Sequence, residues 1–154
     1  MQPKQKALSI VFGSMLAMAT ATIGFIWWDR GAPPGFKPTL VDVTIDTINR
    51  NHRGVRIHGM ARHDIRIQQK NSDDPTDISY VFPLVPLTKI NTDYIRVLIR
   101  TTNKPDSMAT IEEMTVEGLA RPPGRLVNRE IIESWENRGY EFDPKYVLIE
   151  QFVD

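Results

Sequence analysis

Residues 55–68 read VRIHGMARHDIRIQ, and their phase decides the fold. Val55, Ile57, Gly59, Ala61, Ile65 and Ile67 fall on one side of an extended chain. Arg56, His58, Met60, Arg62, Asp64, Arg66 and Gln68 fall on the other. Period two with β-branched residues marks a half-buried strand. The run predicts either one long bent strand or two strands joined by a tight bend near His63. Gly59 inside it marks a bulge or a close backbone approach, where a sheet can curl.

The flanking stretches keep the same period. Val41, Val43 and Ile45 alternate with Asp42, Thr44 and Asp46, and residues 49–54 (NRNHRG) form a polar turn. Residues 71–77 (NSDDPTD) are a loop. Residues 80–86 (YVFPLVP) are a strand broken by proline, hence an edge or a strand end. Residues 94–101 (YIRVLIRT) read as a central strand, 102–107 (TNKPDS) as a loop and 114–120 (MTVEGLA) as a strand stopped by Arg121-Pro122-Pro123-Gly124. Residues 146–152 (YVLIEQF) close the chain. Only residues 128–139 (NREIIESWENRG) turn helical. Asn128 caps the start, Glu130 suits the first turn, Gly139 suits the end, and Ile131, Ile132 and Trp135 share a face. The expectation is a mainly β fold with one soluble helix, a small antiparallel β-barrel or sandwich.

Ahead of this domain stands an uncharged apolar run at 7–28, ALSIVFGSMLAMATATIGFIWW. As a helix it would measure about 33 Å, the thickness of a bilayer core. A cleaved signal peptide is the other reading, with Ala19-Thr20-Ala21 as its cleavage site. The run continues past that site to Trp27 and Trp28, which suit the membrane interface, so an uncleaved anchor is favoured. Lys4 and Lys6 place the N-terminus in the cytoplasm and the domain outside it, in the periplasm or its equivalent across the inner (cell) membrane. The chain therefore divides into a transmembrane anchor (1–30), a Pro/Gly linker (31–38) and an extracytoplasmic β domain (39–154). Ser9, Gly13, Ala17 and Ala21 recur every four residues and offer a close-packing face to another helix. Such residues are also ordinary in membrane helices.

Composition narrows the chemistry. The 19 basic and 19 acidic residues cancel, which gives no signal for nucleic acid. With no cysteine, there is no disulfide, thiolate nucleophile or Cys-ligated metal. His58 and His63 differ by an odd number and point to opposite faces of one strand. Glu112 and Glu113 are adjacent, so they too face apart if extended, and a loop charge pair is the commoner case. No phosphate loop or nucleophile elbow is present. No metal, cofactor or small-molecule substrate is expected, and no catalytic residue is assigned. Arg56, Arg62 and Arg66 share one parity, as do Arg96 and Arg100. If their strands are neighbours they form a basic stripe able to meet lipid phosphates or an acidic partner. A solvated face balanced by Asp42, Asp46 and Asp64 is the simpler alternative.

A short pattern recurs. Ile57-His58-Gly59-Met60-Ala61-Arg62 is echoed by Val116-Glu117-Gly118-Leu119-Ala120-Arg121 at a spacing of 59. The order of an anchor, a glycine strand (VRIHGMARHDIRI), YVFPLVP, IRVLIRT and a second glycine strand running into Arg-Pro-Pro (VEGLARPPGR) resembles the Surfeit-locus cytochrome c oxidase assembly factors. The resemblance spans roughly residues 55–154. IRVLIRT lacks the Asn-Arg-Gly-Trp ending of that family, and no second apolar span follows the domain, so a haem-binding role attached to that span is not carried over. What the resemblance implies is a Surf-like periplasmic β domain serving a membrane complex. The expectation is a non-enzymatic, single-pass accessory subunit or assembly factor of an integral membrane complex, respiratory in the Surf-like case. The alternative is a membrane-tethered binding module for lipid or haem.

Overall fold

The alternating stretches do become sheet. The computed structural model describes residues 38–51, 53–70, 74–106, 108, 110–124 and 126–153. The anchor of residues 1–30 lies outside the described residues, and with it Ser9, Gly13, Ala17, Ala21, Trp27 and Trp28. Among the described residues no helix is long and apolar enough to cross a membrane.

The strands are β1 (Val41–Val43), β2 (Gly54–Arg62), β3 (Ile67–Lys70), β4 (Ile78–Val85), β5 (Tyr94–Thr101), β6 (Ile111–Arg121) and β7 (Glu141–Gln151). A one-turn 3₁₀ helix, His63–Ile65, joins β2 to β3, and α1 (Arg129–Glu136) precedes β7. The sheet runs β1-β2-β6-β7-β5-β4-β3, and β4 also pairs with β2. That last pairing closes β2, β6, β7, β5 and β4 into a five-stranded barrel. The barrel is not purely antiparallel: β5 and β7 run parallel, as do β1 and β2 outside the ring.

The long alternating stretch is two strands joined by a turn that begins at His63. Ala61 pairs with Leu84 of β4, and Ile67 pairs with Val81. β3 therefore continues β2 along the same neighbour, offset by the 3₁₀ turn. The turn changes the face: Ala61 packs inside the barrel, and Ile65 and Ile67 pack under α1. Its residues His63 and Ile65 are both buried. The strand with Pro83 is not an edge. β4 lies between β5 on one side and β3 and β2 on the other. Pro83 falls in the gap between the two ladders, opposite the 3₁₀ turn, where no backbone donor is needed.

Inward residues of the barrel form one core that includes Val55, Ile57, Ala61, Phe82, Leu84, Val97, Ile99, Val116, Val147 and Ile149. Ile45 and Ile48 join it. The expected strand through Ile45 ends at Val43, because Thr44 and Thr47 exchange side-chain and backbone hydrogen bonds and turn the chain. Arg50 then donates to the carbonyls of Tyr146 and Pro144, so this segment spans from β1 to the start of β7 and stoppers that end of the barrel.

α1 forms as its sequence predicts. The Asn128 side chain accepts from the Glu130 N–H, and Gly139 sits beyond the helix at φ +93°. Ile131 and Trp135 are buried and Ile132 packs partly, over a second core made with Val81, Leu98 and Leu148 on the outside of β4, β5 and β7. Trp135, fully buried, donates its indole N–H to the Ile65 carbonyl at 2.8 Å. This satisfies the polar edge of the ring and ties the helix to the 3₁₀ turn.

The echoed segments lie side by side. Ile57 pairs with Val116, the first residue of one copy with the first of the other, and the copies run outward in opposite directions. Each glycine lies where its strand takes a new neighbour: β2 exchanges β1 for β4, and β6 gains β7. Next to Gly59, Met60 begins pairing with β4, and Gly118 begins pairing with β7. At Gly118 a Cβ would press into the Glu150 carbonyl and the Ile149 side chain. At Gly59 it would meet the Val85 carbonyl and Ile45 Cδ1, both at 2.8 Å.

Candidate functional site

Two places combine charge with histidine, one exposed and one largely buried. The first is the outer face of β1, β2 and β6, on the barrel wall away from α1. Alternation sends Arg56, His58 and Met60 outward from β2, and antiparallel register sets Glu117, Thr115 and Glu113 directly opposite them. Arg56 Nε donates to Glu117 Oε1 at 2.7 Å, and its Nη1 to Asp42 Oδ1 at 3.3 Å. The hydrogen bond with Glu117 leads, and the charges of Glu117 and Asp42 add to it, in raising the Arg56 pKa. His58 lies 2.9 Å from Thr115 Oγ1 through Nδ1 and 2.9 Å from Glu113 Oε1 through Nε2. Hydroxyl, imidazole and carboxylate in sequence are the parts of a nucleophile relay. Here all three are exposed on a sheet face, so water competes for each bond, and they make a cross-strand polar ladder.

The second place is the 3₁₀ corner. His63 is buried, stacks edge-on against Phe82 with centroids 4.5 Å apart, and meets Glu112 Oε2 at 3.2 Å through Nε2. Its Nδ1 is buried with no hydrogen-bond partner among the described residues. Beside it Arg62, only 8 % exposed, grips Asp64 through two bonds of 2.8 and 2.7 Å and donates to the Ile90 carbonyl at 3.0 Å. The Arg62 hydrogen bond holds the Asp64 carboxyl below its ordinary pKa, against partial burial that pushes it up. Among the described residues no three His, Asp or Glu side chains are grouped to hold a metal.

The predicted arginines scatter. β2 and β5 are not neighbours, so no stripe links Arg56, Arg62 and Arg66 to Arg96 and Arg100. Arg62 turns into the 3₁₀ corner, and Arg66, beyond the turn, donates to the His63 carbonyl. Arg96 is half-buried near Tyr94 and Asp143. Arg100 meets Glu150 Oε1 at 3.3 Å, while Arg121 meets Glu150 Oε2 at 3.3 Å. That bridge across β5, β7 and β6 had no signal in local sequence. One clue existed: Arg62 and Arg121 end the two echoed segments, and both are buried. Glu112 and Glu113 lie in β6, not in a loop. They do face apart, and each finds a histidine on its own face.

Comparison with protein-family models, with curated proteins and with solved structures gives no match.

Proposed function

We propose that this protein is a non-enzymatic accessory subunit or assembly factor of an integral membrane complex. In this reading the apolar run at 7–28 anchors it, and the β domain stands on the periplasmic side as a contact module. The Surf-like order of segments extends the reading to a respiratory complex. The observation that carries it is the asymmetry of the barrel wall. One side is covered by α1. The other presents a row of charges and hydrogen-bonding groups, with backbone pairing behind it and no helix among the described residues over it. Polar faces on paired strands suit docking, where charge sets orientation and partner choice.

The charge on that row favours a protein partner over anionic lipid. Asp42, Glu113 and Glu117 outnumber Arg56 on it. A lipid phosphate would be repelled. The test is purification of the full chain in mild detergent, followed by native mass analysis. A defined larger complex is the expected outcome; a chain that runs alone as a monomer overturns the reading. Gly13→Leu or Ala17→Leu should loosen that complex while leaving membrane insertion intact.

A further inference from the structure

We propose that the seam between β2 and β4 is a gate in the barrel wall, latched by side chains around the 3₁₀ turn instead of by a backbone ladder. The other seams of the ring are longer: nine residue pairs join β2 to β6, six join β5 to β7 with a register shift between Ile95 and Val97, five join β4 to β5 and four join β6 to β7. Two pairs, Met60 with Val85 and Ala61 with Leu84, close β2 onto β4. The ladder resumes only at Ile67 and Val81. Between lie Phe82 and Pro83, and Pro83 has no N–H to offer a neighbour.

Side chains bridge this gap. Arg62 ties the end of β2 to the Ile90 carbonyl beyond β4 and is itself held by Asp64. His63 rests on Phe82 of β4 and reaches Glu112 of β6. Trp135, packed over β4, fastens the Ile65 carbonyl. His63 Nδ1 is buried with no hydrogen-bond partner among the described residues, a polar atom that opening would return to water. Local opening follows the line where the fewest ladder bonds break. Here that line crosses two residue pairs and the latch. It uncovers Ala61, Phe82 and Leu84 while the β2–β6 and β5–β7 ladders stay intact. The gate is independent of the membrane reading, because its test reads only this chain.

The experiment is hydrogen exchange by mass spectrometry on the full chain in mild detergent, repeated at several denaturant concentrations. Segments covering 60–65 and 84–85 should exchange through an opening of lower free energy and weaker denaturant dependence than 97–100. Asp64→Asn should speed that exchange about thirtyfold, the same factor by which it lowers global stability, because the opening breaks the same bond; seam exchange left unchanged by it overturns the latch. The chain has no cysteine, so Met60→Cys with Val85→Cys places a single disulfide across the seam. When oxidised, this variant should exchange at the seam only with global unfolding, and reductant should restore the faster route. The gate is overturned if seam and 97–100 amides of the unaltered protein share one free energy and one denaturant dependence. It is equally overturned if the cross-link leaves seam exchange unchanged.

Discussion

At the scale of single residues, Asp64 shows how one carboxylate holds a buried cation. Arg62 is nearly enclosed, and a guanidinium out of water needs a partner. Asp64→Asn keeps the shape and removes the charge, so it should cost about 2 kcal/mol at neutral pH, read by urea unfolding. The sign of the pH effect follows from the pKa. Its folded pKa is depressed, chiefly by the Arg62 hydrogen bond, so its contribution is fully present above the ordinary carboxylate value. It is lost as pH falls through the lower folded value. Wild-type stability should therefore drop below about pH 4, and the Asn variant should show a shallower drop over the same range. The two strand glycines make a second residue-scale case. Gly118→Ala forces a methyl into the neighbouring Glu150 backbone and should cost about 2–3 kcal/mol. Gly59→Ala meets the movable end of Ile45 as well as the Val85 carbonyl and should cost less, about 1–2 kcal/mol. Thermal unfolding of the two variants checks the order.

At the scale of elements, α1 was the most legible part of the chain. Its cap, its apolar face and its end are local features, and local features are written locally. Asn128→Ala removes the acceptor for the Glu130 N–H and should cost about 1 kcal/mol. Trp135→Phe keeps most of the packing but strands the Ile65 carbonyl, and should cost more than the cap variant, about 2 kcal/mol. Both are checked by chemical denaturation. Strands were legible wherever period two held, and β5 spans the same residues as its sequence expectation. The face changed across the 3₁₀ turn, where Ala61 packs inside the barrel and Ile65 and Ile67 pack under α1, a shift that no alternation encodes. Edge assignment failed at Pro83. The rule against proline in central strands assumes continuous ladders on both sides, and this strand has a gap on one.

At the scale of the whole molecule, the outer face of β1, β2 and β6 and the covered face under α1 divide the barrel into two unlike sides. If the open side docks a partner, Glu113→Lys with Glu117→Lys should weaken assembly by an order of magnitude or more, with a smaller effect on folding. Native mass analysis against a melting curve separates the two. Equal loss of both would assign these acids to the fold alone.

Sequence by itself determined the strands, the helix and its cap, the absence of cysteine chemistry and the two glycine segments, because each rests on neighbours within a few residues. Only the tertiary structure decided the rest. It set the parallel pairing of β5 with β7 and the closure of β2 onto β4. It also buried Arg62 and Arg121, each against an acid: Asp64 two residues on, and Glu150 on the next strand. Strand alternation records which face is buried but not which strand lies beside it. The residues 55–68 announced a curling strand; what curled it was a three-residue turn and a glycine, set against neighbours that close the ring.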